Sequence, residues 1–575
     1  MTDGLGLEDA YGATLCRIKG QGGRKAMLGM ASLMWISHSE RPLKSDELCH
    51  ALAVEIGSPN LNSHNIPSIG TLLACCQGLV VVDRETSTIR LIHFTVQEYL
   101  RVHPELFGAA HSAIAETCLS YLNSQQVKAF SANPTPALRS TPFLEYASLH
   151  WGLHAKRNLS DRAKLLALKL FDDYNNHIST KILLKAQGWY TYNSHFANHP
   201  VFSGLHCASI FGIDEIATDL VEAESCDINQ NDCVGNTSLV WAARNGHEGV
   251  VQILLGQDDI DPDKPNRYGR TPLCCAASNG HEGVVKILLG RDDVDPNRPN
   301  VYNRTPLCCA TLNGHESVVK ILLGRDDVNP DKLNEDGQTP LCWASENGHK
   351  EVVKVLLDRD DVNPDRPDDY GQTPLCLATC NGHEEVANIL LGRDEVDPER
   401  QNEDGQTPLC WASESGCEIV VKTLLERDDV NPSKPNAHGQ TPLCCASLNG
   451  HEGVVEMLLR RGDVNPNEPD RDDRTPLCYA AWGGHEGVVK ILLGRGDVNP
   501  DSPNVNGRAP LCVAALNGHE GVVQMLLRRD EVNPDKLDKD GQTALCHAAL
   551  NGHEGVVTIL RGRDHANPAK RCKLG

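Results

Sequence analysis

From about residue 204 to residue 560 the apolar positions recur in one pattern with a period of 34 residues. In the copy that begins at Thr271, the residues Leu273, Cys274, Ala276 and Ala277 form a short face of small and apolar side chains. Val284, Val285, Leu288 and Leu289 follow at the spacings that make one buried helical stripe. Thr271 is a good N-cap, and Pro272 suits the first helical turn, where its missing N–H is not needed. Gly280 can take the left-handed conformation that ends the first helix, and the second starts from His281-Glu282. Asp292-Asp293-Val294-Asp295-Pro296 then opens a polar, turn-rich connection whose tip is supplied by Asn303, or by Gly269 in the copy before. Each copy therefore predicts two antiparallel helices and a loop.

Thr-Pro-Leu starts at Thr271, Thr305, Thr339, Thr373, Thr407, Thr441 and Thr475, with variants at Thr237, Ala509 and Thr543. One step further back lies Ser203-Gly204-Leu205-His206, a degenerate first copy, so eleven copies fill about 198–571. A fixed period of this size marks a stacked array in which each repeat buries its apolar face only against its neighbours. Thr-Pro-Leu-Cys-x-Ala, followed by Gly-His and Val-Val-x-x-Leu-Leu, resembles the ankyrin repeat, with Cys274, Cys308 and Cys342 standing where that motif has His. The period is one residue longer than the usual 33, which a longer loop would accommodate. Arg561 stands where other copies have a second Leu, as suits an end repeat with a polar outer face.

The N-terminal third reads differently. Apolar periodicity predicts helices over 26–36 and 45–54, and a third over 67–76; β-rich runs follow at 79–83 and 89–94, joined by a polar turn. Three helices and a hairpin make a winged-helix pattern. Its third helix has no Lys or Arg, which favours packing over DNA reading. Leu91-Ile92-His93-Phe94-Thr95-Val96-Gln97-Glu98-Tyr99-Leu100, with Trp35-Ile36, Arg41-Pro42-Leu43 and His150-Trp151, resembles the winged-helix end of NACHT-type signalling NTPases, especially fungal NOD-like receptors with C-terminal ankyrin repeats. The NTPase domain that precedes this segment in that family is expected outside the chain. The resemblance places His93 where such domains hold a histidine against nucleotide phosphate, here as a vestigial contact. The expected layout is an N-terminal lead over 1–25, a winged-helix-like domain over 26–107, a helical connector over 108–197, the ankyrin array over 198–571 and a tail over 572–575. The fold class is mostly α.

The net charge of −23 opposes the phosphate backbone, so nucleic acid is not an expected partner. No apolar stretch is long enough to cross a bilayer, no secretion signal opens the chain, and a cytoplasmic location without membrane contact is expected. Cys572 stands fourth from the end, but Lys573 and Gly575 do not fit a prenylation box. The 23 cysteines are read mainly as buried free thiols, because nine of them occupy one slot of the repeat. His281-Glu282 lacks the second His of a zinc-protease helix, and one histidine per repeat is too widely spaced to share a metal, so a capping role is expected for the histidine ladder. Neither a phosphate loop nor a G-x-S-x-G elbow is present; no metal, cofactor or catalytic residue is expected.

These readings predict a non-enzymatic scaffold whose ankyrin array recognises a protein partner on its concave surface. The alternative is the regulatory half of a NACHT-type nucleotide-driven switch. Partner contacts are expected where side chains vary while the framework stays fixed: Tyr268, Tyr302, Glu346, Tyr370, Leu448, Trp482 and Leu516. Exposed aromatics are favoured interface anchors, which puts Trp482 first.

Overall fold

The computed structural model describes residues 7–130, 141–188, 202–223 and 226–566. The expected tail, with Cys572, lies outside them, as do parts of the expected lead and connector. The chain divides into two compact units, one ending at Asp295 and the other starting at Pro296.

The first unit opens with α1 (Leu7–Gly20), α2 (Gly23–His38), α3 (Ser45–Ala51) and α4 (Ile69–Cys75), then the antiparallel pair β1 (Val80–Val82) and β2 (Ile89–Leu91), then α5 (Phe94–Val102). The predicted helices and hairpin are all present, with strands shorter than their apolar runs. The segment expected as a lead contains α1, which is part of the packed body. Its Ile18 is fully buried, and a Cβ on Gly29 of α2 would stand 2.7 Å from the Ile18 side chain, so only glycine lets these helices approach so closely. Tyr11 of α1 also shares a 2.6 Å hydrogen bond with Thr95 of α5. At the start of α3, Glu47 holds the Arg41 guanidinium through both oxygens at 2.7 and 2.8 Å and accepts the Lys44 N–H at 2.8 Å.

The connector comprises α6 (Ala110–Leu122), α7 (Gln125–Lys128), α8 (Leu144–Arg157), α9 (Asp161–Phe171) and α10 (Ile178–Ala186). It is a packed layer with contacts on both sides. Toward the winged helix, Trp35 meets the rings of Phe143 and Tyr146 edge-on at 5.5 and 5.9 Å. Toward the first repeat, Trp151 lies against Phe211 at 5.4 Å, and Gly152 leaves the space that the Phe211 ring occupies. Tyr174 reaches Cys207 at 3.1 Å. The connector thus covers the apolar side that the first repeat would otherwise show to water, as an array's end requires.

Three helix pairs complete the first unit, starting at Gly204, Ser238 and Pro272, and eight more, from Pro306 to Ala566, make up the second. The local chemistry is as the sequence predicts. Thr441 Oγ1 accepts the Cys444 N–H at 3.3 Å, Pro442 takes the first helical position, and Gly450 ends the helix at φ 79°. A Thr cap is worth about 1 kcal/mol; of these repeats Ala509 alone starts its first helix without a side-chain cap. In the loops, Asn334 Oδ1 accepts the N–H groups of Asp336 and Gln338 at 2.9 and 2.8 Å, which closes the tip. Neighbouring tips bond backbone to backbone, as from Glu403 N–H to the Tyr370 carbonyl at 3.1 Å.

One buried cluster in the first unit carries a pH dependence. His154 on α8 is fully buried between Tyr146, whose hydroxyl is 3.0 Å from Nε2, and His111, whose Nδ1 is 2.8 Å from its own Nδ1. Burial first, then the neighbouring His111 and Arg157, push it down to about 3. The surrounding titratable groups are His38, Glu40, His150 and Arg157. Burial likewise pushes His177 down to about 4. Both folded values lie below the ordinary value near 6.5, so on acidification the unfolded chain takes up protons first. Stability is intact above about pH 6.5 and falls toward pH 3–4, each histidine removing on the order of 2 kcal/mol between about pH 7 and 5. Hydrogen exchange at these two pH values, corrected for intrinsic rates, should show α6 and α8 losing protection more than tenfold. Unchanged protection would contradict the assignment.

Candidate protein-interaction surface

The second helix of most repeats begins one residue after a histidine, and this histidine does not cap its own helix, contrary to expectation. No side-chain bond joins His485, for example, to the helix Glu486–Leu493. The imidazole instead reaches back to the preceding repeat. His281 Nε2 lies 2.9 Å from the Arg244 carbonyl, and the same bond, always to the residue 37 positions earlier, joins His383 to Glu346, His451 to Glu414, His485 to Leu448, His519 to Trp482 and His553 to Leu516 at 2.8–3.0 Å. A carbonyl only accepts, so Nε2 carries the proton. The acceptor sits in the last turn of a first helix, where carbonyls lack partners within the helix. The glycine two residues after that carbonyl clears the way: a Cβ on Gly450 would stand 2.4 Å from the His485 ring.

This bond also explains where four of the predicted contact residues stand. Glu346, Leu448, Trp482 and Leu516 each offer the bonded carbonyl, so the backbone is held from behind while the side chain is left for other contacts. Leu448, Trp482 and Leu516 line one cavity of about 360 Å³ with Tyr479, Val513 and Arg474. Trp482 is 56% exposed there, although its neighbours Ala480 and Ala481 are fully buried. The rim is rigid. The Tyr479 hydroxyl donates to Asp470 at 2.5 Å and accepts from Gln440 at 2.7 Å, Arg474 pairs with Asp472 at 2.9 Å, and Arg508 pairs with Asp538 and Asp540 at 3.1 Å.

Tyr302, Tyr370 and Tyr268 stand at loop tips, the last of them in the first unit; all three are exposed and none lines this cavity. Glu346 is half-buried at the end of its helix and accepts from Gln338 Nε2 at 3.4 Å. Sequence reasoning missed Tyr479, Arg474 and Gln440. Tyr479 stands where other repeats carry Cys275, Trp343 or Leu377, a variation that could have marked it.

The cysteine slot has a structural explanation. In the first repeat His206 Nε2 lies 3.0 Å from the carbonyl of Gln230, 24 residues on. Cys342, Cys444 and Cys478 reach the equivalent carbonyls of Arg366, Glu468 and Ser502 at 3.8 Å, a weaker bond made by a smaller group. Burial pushes the Cys342 thiol up to about 11 and that of Cys444 up to about 12, which leaves them protonated and unreactive. Among the described residues no group of three or more His, Cys, Asp or Glu is placed to hold a metal ion. His93 is exposed at the start of α5, where its Nδ1 accepts the Thr95 N–H at 3.3 Å as a helix cap.

Residues 205–571 match the family described as ankyrin repeats (3 copies), in seven overlapping segments from 205–300 to 477–571. The chain belongs to the ankyrin-repeat family. Residues 14–109, which include the second half of α1, match the winged helix domain described for GPI inositol-deacylase. A search of curated proteins finds no match. Among the described residues no helix is long and apolar enough to cross a membrane.

The repeat from Thr407 tests the histidine bond, because Cys417 stands in the histidine's place and its sulfur lies 4.0 Å from the Thr379 carbonyl. Around Gly382, only that sulfur comes within 4 Å of an added Cβ, so the space the ring uses elsewhere is open. Cys417→His should raise stability by about 1 kcal/mol, whereas His451→Ala should cost about 1–3 kcal/mol by orphaning a carbonyl. Denaturant melts of both variants are the measurement; a destabilised Cys417→His would sink the assignment.

Proposed function

We propose that this chain is an interaction scaffold whose ankyrin array takes a protein partner around Trp482, and that it carries out no chemistry of its own. The observation behind this reading is the cavity formed by Leu448, Trp482 and Leu516, a solvent-exposed apolar site beside Arg474 and Arg508, whose charges are already paired. Rigid aromatic anchors with pre-paired rims are what interface hot spots use, because little conformational entropy is lost on binding. Tyr302, Tyr370 and Glu346 are proposed as peripheral contacts, and Tyr268 as a contact of the first unit. The full chain and its Trp482→Ala variant should be compared as baits in extracts of the native cell, and the proteins captured by the first alone measured for affinity. The variant should lose at least tenfold in affinity and keep its melting temperature. If Trp482→Ala melts the array as much as it weakens the complex, the binding assignment is wrong.

A second reading rests on the winged helix and on the segment from Leu91 to Leu100: the chain is the regulatory half of a NACHT-type switch whose NTPase domain lies outside these residues. In that setting His93 would offer an imidazole N–H to phosphate. In this chain its Nδ1 is committed to the cap of α5, and the other nucleotide contacts belong to the missing domain. Calorimetry of the purified chain with ATP and with ADP should therefore show no binding. Micromolar affinity abolished by His93→Ala would show instead that the nucleotide site works within this chain.

A further inference from the structure

The row of residues whose carbonyls the histidines hold changes character along the second unit. At Leu448, Trp482 and Leu516 the side chains are apolar, and so is Leu550, which takes the same position in the last repeat without a histidine bond and is 71% exposed. Two and three repeats before Trp482 and Leu516, the same slot holds Glu414, and Glu346 lies two repeats further back. Cys380 occupies the slot between these two glutamates, and after burial it is the fields of Glu414 and Glu346 that push its thiol up. The loop tips facing this part of the row are acidic as well. Glu335, Asp336, Asp369, Glu403 and Asp404 are all exposed, and residues 334–338, 368–372 and 402–406 contain no Lys or Arg. Gln338 and Gln406, on those tips, bond the carboxylates of Glu346 and Glu414, which puts tips and row on one face.

Several other loop carboxylates in the unit are compensated. Arg359 holds Asp361 and Arg427 holds Asp429, while at the apolar cavity Arg474 and Arg508 neutralise their aspartates. None of Glu335, Asp336, Glu346, Asp369, Glu403, Asp404 and Glu414 has an ion-pair partner within 4.0 Å among the described residues. Same-sign carboxylates left unpaired on one face destabilise the free protein slightly and favour a cation brought by a partner.

We infer that the partner segment is a basic, extended peptide that sets Lys or Arg side chains against Glu346, Glu414 and the acidic tips, and a bulky apolar side chain against Trp482. The inference rests on the groove reading above and adds the chemistry of the occupant. First helices of neighbouring repeats stack roughly 10 Å apart, and an extended chain advances about 3.3 Å per residue. Glu414 and Glu346 lie two and four repeats from Trp482, so the basic residues stand about six to twelve positions from the apolar anchor. Nucleic acid is repelled by this face, and so is a second copy of it.

The experiment is selection of phage-displayed random peptides of about sixteen residues on the immobilised full chain, followed by anisotropy titration of labelled synthetic versions of the winners. The winners should carry Lys or Arg at that spacing from Trp, Phe or Leu. Their affinity should fall at least tenfold with Trp482→Ala, with Glu346→Gln and Glu414→Gln combined, and between about 50 and 500 mM salt. These side chains are exposed or half-buried, and thermal melts verify that the variants fold. Winners that need Trp482 but show no basic enrichment, or ignore the glutamate pair, overturn the charge assignment and leave the groove standing. Winners indifferent to Trp482→Ala, or no enrichment at all, overturn the groove itself.

Discussion

A short helix leaves carbonyls without partners at its C-terminal end, and the first helix of each repeat is only two turns long. The histidine that precedes the next repeat's second helix answers this constraint from outside, by donating Nε2–H across the repeat boundary. Much else follows from that bond. The first helix must end in a residue with positive φ and no Cβ, because the ring passes where a Cβ would be; Gly450, Gly484 and Gly518 meet both demands. The ring must carry a proton on Nε2. At His247, where the array meets the connector, Lys156 fixes this tautomer by donating to Nδ1 at 3.0 Å, and burial pushes the imidazole down to about 4. A Gly-His pair such as Gly450-His451 or Gly484-His485 thus serves two partners, the glycine receiving a ring from the following repeat and the histidine gripping the preceding one.

A second bond of the same kind holds the other helix. Arg359, Arg427, Arg461 and Arg495 each reach a leucine carbonyl 36 residues earlier, at 2.7–3.0 Å, while chelating an aspartate two residues ahead. The aspartate orients the guanidinium, which is why Arg and Asp recur together in the loops. Exposed pairs of this type add little by themselves. Here they aim a donor at an orphan acceptor, which is a positional role rather than an energetic one.

The parts legible in the sequence are those set by local chemistry repeated many times. Thr-Pro starts, Gly ends, the Val-Val-x-x-Leu-Leu stripe and the positive-φ tips, including Asn303 at φ 55°, all depend on residues within a few positions of one another. What was not legible depends on partners far along the chain. A histidine at the head of a helix reads as a cap, and only the stacked neighbour reveals the carbonyl 37 residues back. The connector read only as a helical segment because nothing local says that Trp151 will meet Phe211. Similarly, α1 carries a mixed surface, and its place in the body rests on Gly29 and Thr95, which belong to other helices.

The candidate surface falls between these cases. Trp482 was visible as a variable position in a fixed frame, yet a single position cannot show a cavity, which needs Leu448 and Leu516 from the repeats on either side. The frame joins the three residues. Because the histidines hold their carbonyls in identical fashion, the side chains of successive repeats are presented in register. A sequence change at one slot therefore alters the surface without touching the bonds that hold the array. That separation lets the same row be acidic at Glu346 and Glu414 and apolar from Leu448 onward. It also means that the binding chemistry of such an array can be read along the row, one side chain per repeat, once the bond that fixes the row has been identified.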